Sequence, residues 1–265
     1  MFTHASFGNY SFIHDLPLQE GGEIFHRKHM HPGYELVFVA EGHVGYQVEL
    51  EHFDLQAEDL LIIRPGDHHY PLFPEGDSHE FYVLRFDAED LPRAFQSRLS
   101  GLYDKYCLKD TDIPDMFRSI SAQWELFSAE PELLHEVYRA DLGQILASLL
   151  ILKGENRKSS FRNESLRRIF EYINANYLKI AGLGELEEAL HMSRSGISKT
   201  FLREMEVPVM QYIRNRKCVY AHRLLTAGTA PKDAAEQSGF EDYSAFYRNY
   251  VKIYGTSPRH GNTSV

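Results

Sequence analysis

The spacing of apolar positions changes period along the chain. From about residue 10 to residue 90, short runs of β-branched and aromatic residues dominate, among them Tyr34–Val39 (YELVFV), Val44–Leu50 (VGYQVEL) and Asp59–Ile63 (DLLII). Turn-forming stretches (EG, PGD, PEGD) separate these runs, so the region reads as strands. Many short strands at close intervals predict an antiparallel barrel or sandwich. From Ile113 the spacing becomes helical. Phe117, Ile120, Trp124 and Phe127 form one stripe. Leu134, Val137, Tyr138, Leu142, Ile145, Leu146 and Leu149 form a second, at i, i+3, i+4 intervals. Two helices packed on the strands are predicted, either as plain core or as carriers of a dimer interface.

Lys153 to Glu164 (KGENRKSSFRNE) is polar and charged and reads as a linker. Nearly everything after it is helical, beginning with the stripe Leu166, Ile169, Phe170, Ile173 and Tyr177. Two later segments share one plan: short helix, tight turn, second helix. In LGELEEALHMSRSGISKTFLRE, residues Leu183, Leu186, Ala189 and Leu190 are expected to bury one face, and His191 and Met192 to fill the turn. Ser193 suits the N-cap of the next helix, because its hydroxyl accepts an orphan backbone N–H. Ile197 and Phe201 then face inward, leaving Arg194, Ser195, Ser198, Lys199 and Leu202 outward. In PKDAAEQSGFEDYSAFYRNYVKIYGTSP, Ala234 and Ala235 pack, Gly239 supplies the turn and Asp242 caps. Phe246 and Tyr250 face inward, and Tyr243, Ser244, Tyr247 and Arg248 face outward.

Charge sharpens the division. Net charge over all 265 residues is −10, which taken whole argues against a nucleic-acid partner. Residues 1–154 hold 11 Lys+Arg against 26 Asp+Glu, a net of −15, whereas residues 155–265 hold 17 against 12, a net of +5. An acidic half joined to a basic half implies two domains with different partners. The boundaries read as 1–152, a linker at 153–164, and 165–265. The two cysteines, Cys107 and Cys218, exclude a disulfide framework and a cysteine-rich zinc module. The chain lacks a signal-peptide pattern at its start and any apolar run near the ~20 residues that span a bilayer. A cytoplasmic protein without a membrane partner is expected.

A helix-turn-helix places the outward face of its second helix in the DNA major groove, where arginine and lysine reach guanine edges. One such segment is as readily a helical hairpin with a solvated face; two in tandem within a basic half favour DNA. The order Ser193, Ile197, Phe201, then VMQYIRNRKCVYAHRLL, then SGFEDYSAFYRNYVK…GTSP resembles the AraC/XylS family of bacterial transcription regulators over about 95 residues. The resemblance implies two helix-turn-helix units joined by a long helix and entering successive major grooves. Matched residue by residue, it assigns DNA contacts to Ser195, Ser198 and Lys199 and to Tyr243, Ser244, Tyr247 and Arg248. Arg194 joins them from the outward face. The chain departs from the family pattern at Pro231 and Ala234 (usually isoleucine), Glu206 (usually glycine) and Gly261 (usually aromatic).

In the acidic half, His29-x-His31-(three)-Glu35-(six)-Gly42 and Gly66-x-x-His69 resemble the two motifs of cupin barrels, with Glu58 where glycine is usual and Arg64 where proline is usual. In metal-dependent cupins the residues matching His29, His31, Glu35 and His69 hold one divalent ion. The same region resembles the sensor domains of AraC-type regulators, which bind small molecules, and DLLIIRPGDHHY resembles rhamnose-type sensors. Three readings stay open: an effector pocket that includes Tyr46, hydrogen-bonded barrel residues without a ligand, and a metal site. The expected fold is two-domain α+β, a cupin-like antiparallel barrel with accessory helices followed by an all-α domain. The expected function is a homodimeric, effector-controlled DNA-binding regulator, with RNA polymerase as a further partner if it is an activator; the direction of regulation is left open. A sugar is the expected effector, with no catalytic residue and no cofactor. The chief rival is a metal-dependent cupin oxygenase or isomerase with an added helical domain, and a second is a DNA-binding protein whose barrel only dimerises and responds to no ligand.

Overall fold

The computed structural model describes residues 2–7, 10–15, 28–73, 79–127, 129–156 and 163–259. The PEGD turn, linker residues 157–162, Gly261 and the side chain of Trp124 lie outside the described residues. The chain divides into two compact units, residues 1–158 and 159–265.

Among the described residues the first unit contains nine strands: β1 (Phe2–Phe7), β2 (Tyr10–Asp15), β3 (Tyr34–Glu41), β4 (His43–Val48), β5 (Glu51–Gln56), β6 (Asp59–Ile63), β7 (His69–Leu72), β8 (Glu80–Phe86) and β9 (Lys105–Cys107). They form a six-stranded sheet, ordered β1-β2-β8-β3-β6-β9, and a three-stranded sheet, ordered β5-β4-β7. Every pairing is antiparallel. The strand expected at Val44–Leu50 stops at Val48, because Glu49 takes a positive φ (54°) and starts the turn into β5.

The run YELVFVA is buried on both faces, and alternation explains why. Tyr34, Leu36, Phe38 and Ala40 join one apolar cluster, and Val37 and Val39 join another with Val44, Tyr46, Val48 and Leu55 of the smaller sheet. The first cluster is closed by helices α2 (Ile113–Phe127) and α3 (Pro131–Leu149), which follow a single-turn helix α1 (Arg93–Gln96). Pro131 begins α3, where its missing N–H costs nothing. Leu142, Ile145, Leu146 and Leu149 are fully buried, each worth about 1.5–3 kcal/mol. Tyr138 ties α3 to the sheet by donating to the carbonyls of Ser11 and Arg85, both at 3.2 Å.

The structure describes both departures from the cupin pattern. Glu58 holds φ 68°, the left-handed region that favours glycine. Arg64 pairs with Asp104 and donates to the Leu102 carbonyl at 2.9 Å, tying the end of β6 to the chain before β9. Glu155, within the predicted linker, bridges to Lys105 of β9, its N–H donating to the Lys105 carbonyl at 2.7 Å.

The second unit is helical: α4 (Glu164–Asn176), α5 (Leu183–Leu190), α6 (Arg194–Met205), α7 (Val209–Thr226), α8 (Pro231–Gln237) and α9 (Tyr243–Tyr254). Side-chain caps open three of them. Asn163 accepts from Ser165 and Leu166, Ser193 from Gly196, and Asp242 from Ser244 and Ala245. Ile197, Phe201, Phe246 and Tyr250 are fully buried. Ala189 is exposed, contrary to the periodic expectation, and Leu183 is half-buried; Leu186 and Leu190 carry the packing of α5. Glu206 ends α6 with φ 58°, where the family pattern has glycine. α7 runs through the centre and packs against α6, α8 and α9. Each unit holds one free cysteine, Cys107 exposed on β9 and Cys218 buried in α7. Among the described residues no helix is long and apolar enough to cross a membrane.

Candidate functional site

One polar cluster interrupts the apolar space between the two sheets. Glu35 follows Tyr34 on β3, so it points to the same side as Val37 and Val39. Arg85 on β8 is its register partner across the pair. Tyr46 comes from β4 and His69 from β7. His29 joins His69 through an isolated bridge, with reciprocal backbone hydrogen bonds of 3.1 and 2.9 Å. The structure therefore brings together His29, His31, Glu35, Tyr46 and His69, and adds Arg85. Arg85 was missed because it belongs to no motif, although alternation along FYVLRF puts it on the face of Phe81 and Val83.

Glu35 is 1% exposed and lies at the hub. Arg85 Nε donates to Oε2 at 2.5 Å, His31 Nε2 lies 2.9 Å from the same oxygen, and Tyr46 donates to Oε1 at 3.3 Å. Burial alone raises the carboxyl pKa. Arg85 above all, together with the His31 hydrogen bond, outweighs it and holds Glu35 well below the usual range, so it is ionised. Burial and the Glu35 charge push the Tyr46 hydroxyl well up, which keeps it a donor. The His31 Nδ1 also faces an acceptor, the Gly33 carbonyl at 3.0 Å. His69 Nδ1 donates to the Asp67 carbonyl at 2.8 Å. Burial holds the His69 pKa well below that of free imidazole, so Nε2 presents a lone pair. That atom is buried and has no hydrogen-bond partner; Glu35 Oε1, itself an acceptor, lies 3.7 Å away.

The donor set fits a divalent transition metal. One ring nitrogen from each of His29, His31 and His69 lies within 4.8 Å of the others, with the Glu35 carboxylate beside them. Imidazoles and a carboxylate suit iron, nickel, zinc or manganese. Arg85 opposes such an ion. Its guanidinium already neutralises Glu35, and its Nη2 lies 3.3 Å from His29 Nε2.

The second unit presents two matched faces. On α6, Arg194, Ser195 and Lys199 are exposed and Ser198 is half-buried. On α9, Tyr243, Ser244, Tyr247 and Arg248 are exposed. The spacing i, i+1, i+4, i+5 is the same in both helices, so each quartet forms one stripe. Arg194 is tied to Glu187 of α5 at 2.7 Å, a constraint the sequence did not reveal. The exposed large apolar side chains described in this unit, Leu202, Tyr243 and Tyr247, all lie on these two helices. Gln211 of α7 donates to Asn249 of α9 at 3.3 Å and buttresses the second stripe from behind.

A double-sheet unit with a buried polar hub, followed by paired helix-turn-helix units, defines a ligand-binding DNA-binding regulator. Residues 19–150 match the family described as the AraC-like ligand binding domain, and residues 186–261 match a helix-turn-helix domain. The chain belongs to the AraC/XylS family of transcription regulators. It is similar to the uncharacterized HTH-type transcriptional regulator YisR of Bacillus subtilis strain 168, at 21% identity over 88% of this chain and 86% of the relative. It is also similar to the lactose operon transcription activator of Staphylococcus xylosus, at 25% identity over 36% of this chain and 34% of that protein. Among solved structures, ToxT from Vibrio cholerae O395 is 12% identical over 97% of this chain and 99% of its own, with a TM-score of 0.38.

Proposed function

We propose that this regulator is controlled by a small polyhydroxylated effector, a sugar or related metabolite, bound at His29, His31, Glu35, Tyr46 and His69. The observation that carries the reading is the lone pair of His69 Nε2, buried without a donor in a site otherwise paired. A ligand hydroxyl donates to such an atom, and leaving it unmet costs about 1–3 kcal/mol. Arg85 extends the candidate set to sugar acids, since a guanidinium pairs with carboxylates. The stripes on α6 and α9 read an operator, with Lys199 and Arg248 as the principal cations.

The rest of the proposal is a cytoplasmic homodimer that acts as an activator through RNA polymerase and performs no catalysis. The exposed Leu126 and Leu133, either side of the turn between α2 and α3, support pairing of two copies. The name of the S. xylosus relative supports activation. Control is linkage: the effector binds one arrangement of the protein better than another and shifts the DNA-bound population.

A second reading, one divalent ion on the three histidines and Glu35, is favoured by the 4.8 Å convergence of the nitrogens. Thermal unfolding of chelator-treated protein with sugars, sugar acids and divalent metals in separate wells decides between them. Saturation at about a hundredfold excess over Kd adds about 2.7 kcal/mol. A shift with one sugar, lost in His69→Ala, supports the effector site. A shift with a metal alone, lost in His31→Ala, replaces it with the metal. Equal affinity for selected and random DNA overturns the regulator reading.

A further inference from the structure

Lys217 lies midway along α7 and is 4% exposed. A buried ammonium is disfavoured by desolvation, which lowers its pKa. A methionine would fill similar space without that cost. What the lysine adds is direction. Its Nζ donates to the Ile180 carbonyl at 2.8 Å and to the Gly239 carbonyl at 2.6 Å. Ile180 lies between α4 and α5, at the entry to the first helix-turn-helix. Gly239 is the turn of the second, with φ 78°. The same Nζ stands 5.8 Å from the centre of the Phe240 ring.

The two segments joined by Lys217 also touch each other. A Cβ at Gly239 would stand 1.8 Å from the Leu178 carbonyl oxygen, so only glycine permits the approach. Glu185 also fixes the first segment, its carboxylate accepting from the Ala181 N–H at 3.1 Å. One side chain on the central helix thus bonds the frame of both helix-turn-helix motifs, while the two stripes remain outward.

We propose that Lys217 is a positioning residue for DNA recognition: by bonding the entry of the first helix-turn-helix to the turn of the second helix-turn-helix, it fixes the separation of α6 and α9 and so the spacing between the two base-pair boxes the protein reads. It contacts no base. The inference rests on the DNA-binding reading above.

The test uses the full chain and a library of random duplexes. Wild type is expected to enrich two boxes at one centre-to-centre spacing of about one helical turn. Lys217→Met should keep the base preferences of each box, accept spacings altered by one base pair, and bind the wild-type duplex about tenfold more weakly. Lys217→Arg, which keeps the charge and donors, should restore the single spacing. A change in stability alone does not loosen spacing, so this readout separates positioning from folding. Should the Met variant fail to give a cooperative melt, Lys217→Gln takes its place with the same expectation. Wild-type spacing and affinity in a folded Met or Gln variant overturn the proposal. Unfolding of both variants, beside a normal Arg variant, also overturns it and makes Lys217 a folding residue. Failure of wild type to enrich any two-box sequence overturns the DNA-binding reading itself.

Discussion

The hub around Glu35 and the stripes on α6 and α9 are both polar, but they stand in opposite relations to water. Glu35 is enclosed by Arg85, His31 and Tyr46, and its charge is matched within the fold. Lys199 and Arg248 are exposed and held by little besides the helix beneath them. The first arrangement is coupled to stability, because removing a member strands the others. The second costs the fold little, which suits the DNA-contacting role proposed for it. Substitutions should therefore separate cleanly into those that unfold and those that only stop binding.

The comparison is tested hardest at Glu35. Glu35→Ala leaves Arg85 and Tyr46 without their acceptor and should cost about 3–5 kcal/mol in urea unfolding. Replacing Glu35 and Arg85 together by methionine should cost less than the single change, since no stranded charge remains. A loss below about 1 kcal/mol in the single variant would show the hub to be screened by solvent.

Asp87 offers a second buried carboxyl to set beside the hub. It follows β8, packs beside Gly33, and is 8% exposed. Burial, with Glu89 and Asp90 adding to it, raises its carboxyl to about 7. The folded value thus exceeds the unfolded one, near 3.8. The unfolded chain releases this proton first, so Asp87 lowers stability progressively as pH rises from about 4 to about 7. Asp87→Asn should match wild type below pH 4 and exceed it above pH 7 by on the order of 4 kcal/mol. Parallel pH profiles for the two proteins would remove Asp87 from the account.

On the other side, Arg248→Ala should weaken operator binding by about 1–3 kcal/mol and relax preference at one base pair. Its unfolding free energy should stay within about 0.5 kcal/mol of wild type. Loss of stability comparable to the loss of binding would erase the distinction between the two regions. The smallest effect is expected at Glu206, whose left-handed backbone (φ 58°) strains a side chain. Glu206→Gly should stabilise by about 0.5–1 kcal/mol in thermal unfolding without altering DNA affinity.

The same contrast governs what could be read beforehand. The stripes on α6 and α9 were legible because each is one short run, marked by its own cap, Ser193 or Asp242, and by inward apolar residues at i+4 intervals. His29, His31, Glu35 and His69 were legible as a spaced motif on predicted strands, and the alternation that buries both faces of β3 was implicit in YELVFVA. Arg85 was not, since nothing in sequence marks which of several strand residues becomes the register partner of Glu35. Lys217 was hidden for a similar reason. In RNRKCVYAHRLL it looks like one more solvated cation, and only the tertiary meeting of Ile180 with Gly239 gives it a purpose. Glu49 and Ala189 show the limit of periodicity at element ends, where the turn geometry and the last helical turn escape the period.

The placement of the two thiols makes the molecule its own stopwatch. Cys107 is exposed, whereas Cys218 is sealed in α7 with its pKa pushed up to about 12. A thiol-reactive dye at neutral pH will therefore consume one equivalent promptly and a second only when the helical unit opens. The rate of that second reaction clocks the opening of the DNA-reading half from within the intact chain, with no reporter added.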